Sequence, residues 1–281
     1  MKEVSAAAVT DMVAKLYQEA NFSLPADVVA ALKAALAAEE SPQGRAVLET
    51  LLENSHIAGR NRVPLCQDTG LAVVFIELGR DVHIGGGPLD AAVDAGVARA
   101  QREGYLRASM VAGPCFRRQN TGDNTPAVLH LDLVEGDAVR ITVLPKGAGS
   151  ENMSRLAMLK PADGVPGLID FAVDTVSRAG ASPCPPIFLG IGVGGTMDRA
   201  AVLSKKAMLR QAKEANPDPA LAGLEQQILD RVNDLGIGPG GFGGRVTCLG
   251  VALEEEPCHI ASLPVAVGIQ CNSARRASGS I

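Results

Sequence analysis

The run Leu71-Ala72-Val73-Val74-Phe75-Ile76 contains no polar residue and is only six residues long. Its length and its β-branched and aromatic content read as a buried strand. A chain with such a strand has to build a sheet and cover it with other elements. Immediately before it stands Arg62-Val63-Pro64-Leu65-Cys66-Gln67-Asp68-Thr69-Gly70. This stretch sets a thiol, an amide, a carboxylate and a hydroxyl in four successive positions between a proline and a glycine. A turn held in that way can aim all four side chains at one place. The plainer reading of the same residues is a helix-to-strand turn around a small buried cysteine.

Elsewhere the chain alternates between helical and extended patterns. Apolar residues at helical spacing predict helices over 5–19, 26–39 and 42–58, the second opened by Ser23-Leu24-Pro25. These helices read as scaffold and carry no assigned chemistry. A further helix is predicted over 88–102. The polar run Arg117 to Pro126 then precedes two alternating strands, Ala127–Val134 and Ala138–Leu144, which Glu135-Gly136-Asp137 joins like a hairpin turn. Lys146-Gly147-Ala148-Gly149-Ser150-Glu151-Asn152 is read as the opening of a helix through Leu159, with N–H groups suited to a carboxylate or phosphate. It is no Walker A motif, because the lysine precedes the glycines.

Helices over 166–180, 197–210 and 217–234 and strands over 187–192, 245–252 and 259–267 complete the reading. Gly190-x-Gly192-x-Gly194 lacks the dinucleotide spacing G-x-G-x-x-G. The glycine-dense loop Gly236 to Gly244 implies close approach of backbone to a ligand or partner. No linker, repeat or low-complexity tract is visible. The expectation is an α/β fold of mixed sheets with flanking helices in one large domain, helical over 1–60 and α/β over 61–281.

Composition narrows the function. A net charge of -5 without a basic stripe gives nucleic acid no electrostatic footprint. Aromatics at 3% make a base- or sugar-stacking platform a poor fit. No apolar run is read as approaching the ~18 residues of a membrane span, and the start lacks a signal-peptide core. A cytoplasmic protein is expected. The six cysteines, Cys66, Cys115, Cys184, Cys248, Cys258 and Cys271, contain no C-x-x-C pair, so any metal they hold is gathered from distant loops. Cys248 lies in an apolar strand and reads as core.

Five segments together resemble the iron–sulfur hydro-lyases, the class I fumarases and L-tartrate dehydratases. They are Pro64 to Gly70, Asn120 to Pro126, Lys146 to Asn152, Gly192-Val193-Gly194-Gly195-Thr196 and Pro257-Cys258-His259-Ile260-Ala261. The resemblance covers nearly the whole chain in order and is to the alpha subunit of the two-subunit form. It implies a 4Fe-4S cluster held by Cys66, Cys184 and Cys271, with one iron lacking a protein ligand. Thiolates suit iron–sulfur chemistry. It further implies a beta subunit supplying the proton-abstracting base, a C4-dicarboxylate substrate, and paired alpha chains in a hetero-oligomer.

The implied reaction is reversible hydration of fumarate to L-malate, with dehydration of L-tartrate to oxaloacetate as the alternative. By the same resemblance Gln67, Asp68, Arg107, Gly149 and His259 contact substrate, and Asp68, Gln67 and His259 are the catalytic candidates. Asp68 is read either as an acid/base group or as an orienting hydrogen-bond partner. Arg275 and Arg276 are read as binding the second carboxylate or facing the partner subunit, and Cys258, beside His259, is left without a role. A non-catalytic iron–sulfur or zinc protein, and a purely structural subunit, are the competing readings.

Overall fold

The computed structural model describes residues 2–212 and 214–281. In chain order the first elements are β1 (Lys2–Ser5), α1 (Ala6–Phe22), α2 (Ala26–Ala38), α3 (Pro42–Asn61), β2 (Leu71–Gly79), β3 (Val82–Gly85) and α4 (Leu89–Glu103). Then come β4 (Val111–Ala112), β5 (Gln119–Asn120), β6 (Val128–Val134), β7 (Val139–Lys146), α5 (Ala148–Glu151), β8 (Arg155–Leu159) and α6 (Gly164–Ala179). The last are β9 (Ile187–Gly194), α7 (Met197–Ala207), α8 (Pro219–Asn233), β10 (Cys248–Glu256), β11 (Leu263–Gln270) and β12 (Ala277–Ser280). The mixed α/β class read from the sequence is the observed one. Contacts gather the residues into two compact units: Met1–Pro25, Asn54–Ala148 and Arg275–Ile281 form one, Ala26–Glu53 and Gly149–Ala274 the other. Interleaved segments of this kind leave no linker for composition to mark.

The first unit is built on a four-stranded sheet in the order β12-β7-β2-β6. The apolar strand β2 takes the centre, antiparallel to β7 and parallel to β6. That corrects the expected hairpin, because β6 and β7 flank β2 instead of pairing with each other. The physical reason is β2 itself, whose backbone is buried along most of its length and needs hydrogen bonds on both edges. Ala72, Val74 and Ile76 turn one face toward Val9, Val13, Tyr17 and Ala20 of α1. Helix α1 starts on the Ser5 side chain, which accepts the Ala8 N–H at 3.1 Å. It crosses α4 at Gly96, where a Cβ would stand 2.8 Å from the Thr10 carbonyl oxygen.

Taken by length and composition alone, the stretch Ala6–Ala38 is apolar enough to cross a membrane. That corrects the expectation that no apolar run approaches a membrane span. In the structure the stretch is broken at residues 23–25 into α1 and α2, and the apolar face of α1 lies in the core of the first unit.

The second unit carries the sheet β10-β9-β11-β8, with β9 parallel to β10 and antiparallel to β11. Leu189 and Ile191 of β9 join Val176 of α6 and Ile228 and Val232 of α8 in its core. The alternate residues, Gly190 and Gly192, face α7 on the other side. A Cβ on Gly192 would lie 2.1 Å from the Ala200 carbonyl, and one on Gly190 2.2 Å from that of Ser204. The glycine spacing in this strand is thus a helix-packing device, in keeping with its mismatch to a dinucleotide fingerprint.

The helix expected to run from Lys146 through Leu159 is overturned. Helix α5 has four residues, and the chain turns at Ser150–Ser154 into β8, which pairs antiparallel with β11. Pairing with the buried strand β11 outweighs local helix propensity here. Strands β10 and β11 lie three to four residues later than the sequence pattern suggested.

Candidate functional site

In the first unit the loop Cys66–Gly70 is held from every side. Leu65 N–H donates to the Asn21 carbonyl at 2.9 Å, and Asn54 Nδ2 donates to the Leu65 carbonyl at 2.9 Å. The Asp68 N–H points at Cys66 Sγ, 3.4 Å away. Asp68 Oδ1 accepts the Gly70 N–H at 3.0 Å and Oδ2 accepts the Ala148 N–H at 2.7 Å. Both oxygens are therefore engaged by backbone, which is the arrangement of an orienting carboxylate. The N–H groups at Ala148, read as an anion site, serve Asp68, and a helix as short as α5 forms no such site of its own.

Gly70 needs its glycine. Its φ is +72°, and a Cβ there would lie 2.8 Å from the Lys146 backbone. Thr69, buried, donates its hydroxyl to the Arg107 carbonyl at 2.8 Å, and Asn124 Nδ2 donates to that same oxygen at 2.9 Å. Asn124 Oδ1 in turn accepts the Ser109 N–H at 2.6 Å. Three of the sequence segments, Pro64 to Gly70, Asn120 to Pro126 and the start of Lys146 to Asn152, thus converge with Arg107. The Arg107 side chain is exposed and holds no ion pair among the described residues, and Gln67, next to Cys66 in sequence, is exposed on the Cys66 loop.

Two contributors hold the loop in ways that the sequence did not show. Arg275 is 1% exposed, so it neither meets solvent nor faces a partner subunit. Its guanidinium donates to Asn21 Oδ1 at 2.9 Å and to the Asp68 carbonyl at 2.8 Å. Tyr17, fully buried on α1, donates its hydroxyl to the Gly70 carbonyl at 2.9 Å. Burial pushes the phenol well above its usual pKa, against the Arg275 charge, which pulls it down. Helix α1, read as scaffold without chemistry, therefore supplies Tyr17 and Asn21 to the floor of the loop. The signal available was a tyrosine and an asparagine four residues apart on the apolar face of that helix.

In the second unit Cys184 sits at φ +56° between two prolines. Its carbonyl accepts both the Asn272 N–H at 3.3 Å and Asn272 Nδ2 at 2.8 Å. The Cys184 turn is thereby tied to the residue after Cys271. The glycine-dense loop approaches this same turn: the Gly240 N–H donates to the Pro185 carbonyl at 2.8 Å, and a Cβ on Gly241 would meet Ala181 Cβ at 2.3 Å. Its close approach is to the chain's own Cys184 loop.

His259 lies exposed in the turn between β10 and β11, and its Nδ1 accepts the Ala261 N–H at 3.1 Å. With Nδ1 accepting, a neutral ring carries its proton on Nε2. Cys258, also exposed, donates to the Ser262 carbonyl at 3.2 Å. Gly149 is exposed in α5, with only the Ser182 carbonyl 3.7 Å from its Cβ position.

A profile of the fumarate hydratase (Fumerase) family matches residues 10–280. The chain belongs to the fumarate hydratase (Fumerase) family. Relatives agree over the same length. A protein of Methanocaldococcus jannaschii named putative L(+)-tartrate dehydratase subunit alpha is 43% identical over 274 residues, covering 96% of each chain. The L(+)-tartrate dehydratase subunit alpha of Escherichia coli UTI89 is 33% identical over 271 residues, 95% of this chain and 88% of its own. The K12 form of that subunit is 32% identical over the same span.

A Fumerase-family chain invites a test of its thiols against the cluster that the resemblance implies. All six cysteines are thiols, and they fall into distinct environments. Cys248 is buried, donates to the Gly250 carbonyl at 3.2 Å, and has its thiol pKa pushed up to about 12 by burial, so it stays protonated. Cys66, Cys184 and Cys271 are half-buried or exposed, each at a loop or a strand end, and Cys66 receives the N–H bond that favours a thiolate ligand. That donor set fits an iron–sulfur group. Within either unit, among the described residues, no three His, Cys, Asp or Glu side chains form a ligand set for one metal ion. A cubane takes one thiolate per iron and needs no such set.

Proposed function

We propose that this chain is the alpha subunit of a hydro-lyase that dehydrates L(+)-tartrate. The observation that carries the reading is the likeness over almost the full chain to subunits named L(+)-tartrate dehydratase subunit alpha, at 43% and 33% identity. Hydration of fumarate to L-malate is the second reading, favoured by the description of the family itself. Both substrates are four-carbon dicarboxylates, and the same groups serve either.

In this reading Arg107 grips one substrate carboxylate through its planar fork, for which its exposed side chain leaves it available. His259 donates from Nε2 to a substrate oxygen, with Nδ1 anchored on the Ala261 N–H. Gln67 offers both a donor and an acceptor from the exposed side of its loop, and Gly149 makes a backbone contact. Asp68 sets the shape of the Cys66 loop, each of its oxygens holding one backbone N–H group. A 4Fe-4S cluster bound by Cys66, Cys184 and Cys271 would supply a Lewis-acidic iron for a substrate oxygen. The base that takes the carbon-bound proton belongs to a beta subunit, which the word alpha in the relatives' names supports.

The test is anaerobic co-production with the cognate beta subunit, followed by turnover of L(+)-tartrate and fumarate. The expected result is a kcat/KM for L(+)-tartrate at least about tenfold above that for fumarate, a gap of about 1.4 kcal/mol in transition-state binding. The reverse preference establishes the second reading, and failure on both substrates removes the hydro-lyase assignment. Arg107→Lys should raise KM for either substrate, because an ammonium cannot reproduce the two parallel hydrogen bonds of the fork.

A further inference from the structure

Strands β9 and β10 run parallel and end together, with Gly194 opposite Glu256 in the last register pair. The space outside the carboxyl ends of parallel strands is where open α/β sheets take their ligands. Beyond this end β9 passes through Thr196 into α7, and β10 passes through Pro257 and Cys258 to His259. Gly190 and Gly192 make room for α7, whereas Gly194 and Gly195 meet the outgoing end of β10. A Cβ on Gly194 would lie 1.9 Å from the Glu256 carbonyl oxygen, and the Gly195 N–H donates to the Pro257 carbonyl at 3.3 Å.

Arg199 completes this grip. It stands in the first turn of α7, where a cation works against the helix dipole and gains nothing from the helix itself. Its side chain returns instead to β10. Nε donates to Glu256 Oε2 at 2.7 Å and Nη2 donates to Oε1, a two-pronged pair that fixes orientation as well as distance. A Cβ on Gly195 would stand 2.6 Å from Arg199 Cγ, so a side chain there would displace the arginine stem. The two partners are 36% and 34% exposed, and an ion pair this open to water contributes little to stability. Past Glu256 the turn is closed on itself. The Ser262 N–H donates to the His259 carbonyl at 2.9 Å, the Cys258 thiol donates to the Ser262 carbonyl at 3.2 Å, and the Ala261 N–H holds His259 Nδ1. The ring is thus tied to its own turn locally, and on the entry side the turn is tied to the sheet at Glu256 and Pro257.

We propose that Arg199 is a positioning residue for His259. Through its two-pronged hold on Glu256, backed by Gly194 and Gly195, it sets where the closed turn 257–262 presents the imidazole. Arg199 itself touches no substrate in this scheme, and the role rests on the reading of His259 as a donor to a substrate oxygen. It also gives the segment Gly192 to Thr196 a use that its mismatch to a dinucleotide fingerprint leaves open.

The test uses the enzyme assembled anaerobically with its beta subunit and compares the parent with Arg199→Met, Arg199→Lys, His259→Gln and the double variant R199M/H259Q. Arg199→Met should lower kcat/KM for the better of L(+)-tartrate and fumarate by roughly tenfold to a hundredfold, the cost of a misplaced contact group. Its thermal midpoint should stay close to that of the parent, as expected for a pair this exposed. Arg199→Lys should fall with it, since an ammonium keeps the charge and loses the second prong. Once His259 is gone nothing is left to place, so R199M/H259Q should be no slower than H259Q. Hydrogen exchange gives a readout apart from activity. Amides of residues 258–262 should exchange faster in Arg199→Met, while those in the middle of β9 and β10 keep the parental rate. Losses that multiply in R199M/H259Q overturn the proposal, as does unchanged exchange over 258–262 or a parental kcat/KM in either Arg199 variant. A parent that turns over neither substrate removes the hydro-lyase reading and this role with it, whereas an active parent with indifferent Arg199 variants removes this role alone.

Discussion

Arg275 spends its charge on holding a loop. A guanidinium at 1% exposure is costly unless its donors find acceptors, and here two of them reach Asn21 Oδ1 and the Asp68 carbonyl. Methionine at this position keeps much of the volume and loses both bonds. Hydrogen bonds involving a charged group contribute about 1.5–3 kcal/mol each, so Arg275→Met should cost roughly 3–6 kcal/mol, read as a shift in the denaturant midpoint. The same change should depress kcat of the assembled enzyme by loosening the Cys66 loop, while Arg276→Met should leave that loop in place. The sequence presents Arg275 and Arg276 as twins, and only folding separates them. By contrast, the burial of Cys248 was legible from its apolar neighbours alone, because a small thiol inside a strand of that kind has nowhere else to go.

Elements were legible where one periodicity ran without competition and illegible where distant pairing decided. The apolar spacing in α1, α2 and α3 is enough by itself to mark them as helices. The stretch after Ser154 carries a pattern that suits a helix, yet β11 recruits it as an edge strand across more than a hundred residues of chain. The end of α2 provides a measurable case of such long-range fixing. Glu39, buried just beyond the helix, accepts N–H bonds from Glu40 and Ser41 and, far along the chain, from Arg245 and Val246. Burial works to raise its pKa, but these backbone donors outweigh it, and the carboxyl ionises below its ordinary 4.5. A depressed carboxylate contributes stability that is complete above the unfolded-state value and disappears as pH falls through the folded one. Glu39→Gln should therefore destabilise the chain by about 2–3 kcal/mol at pH 7. The gap from the parent should narrow below pH 4.5, followed by urea denaturation at stepped pH.

At the scale of the molecule, the two units divide the candidate residues between them. Cys66, Gln67, Asp68 and Arg107 belong to the first, and Gly149, Cys184, His259 and Cys271 to the second. The five motifs were readable in order along the chain, whereas their partition was not, because no shift in composition accompanies a boundary that the chain crosses repeatedly. The proposed ligand set makes a prediction for the whole assembly. After anaerobic reconstitution, Cys66→Ser, Cys184→Ser and Cys271→Ser should each lower bound iron and sulfide and bleach the brown absorbance. Cys115→Ser and Cys248→Ala should leave both at the parental value, since neither thiol belongs to the set.

The bond from Arg275 to the Asp68 carbonyl spans 207 positions of sequence. On a ribosome adding about 5–20 residues per second, the turn at Cys66 emerges roughly 10–40 s before the arginine that fastens it. Strand β12, which closes the outer edge of the same sheet against β7, is made later still. Throughout that interval the nascent thiol lies in an unfastened turn, so any cofactor that needs the finished shape of this loop is installed only once Arg275 has been made.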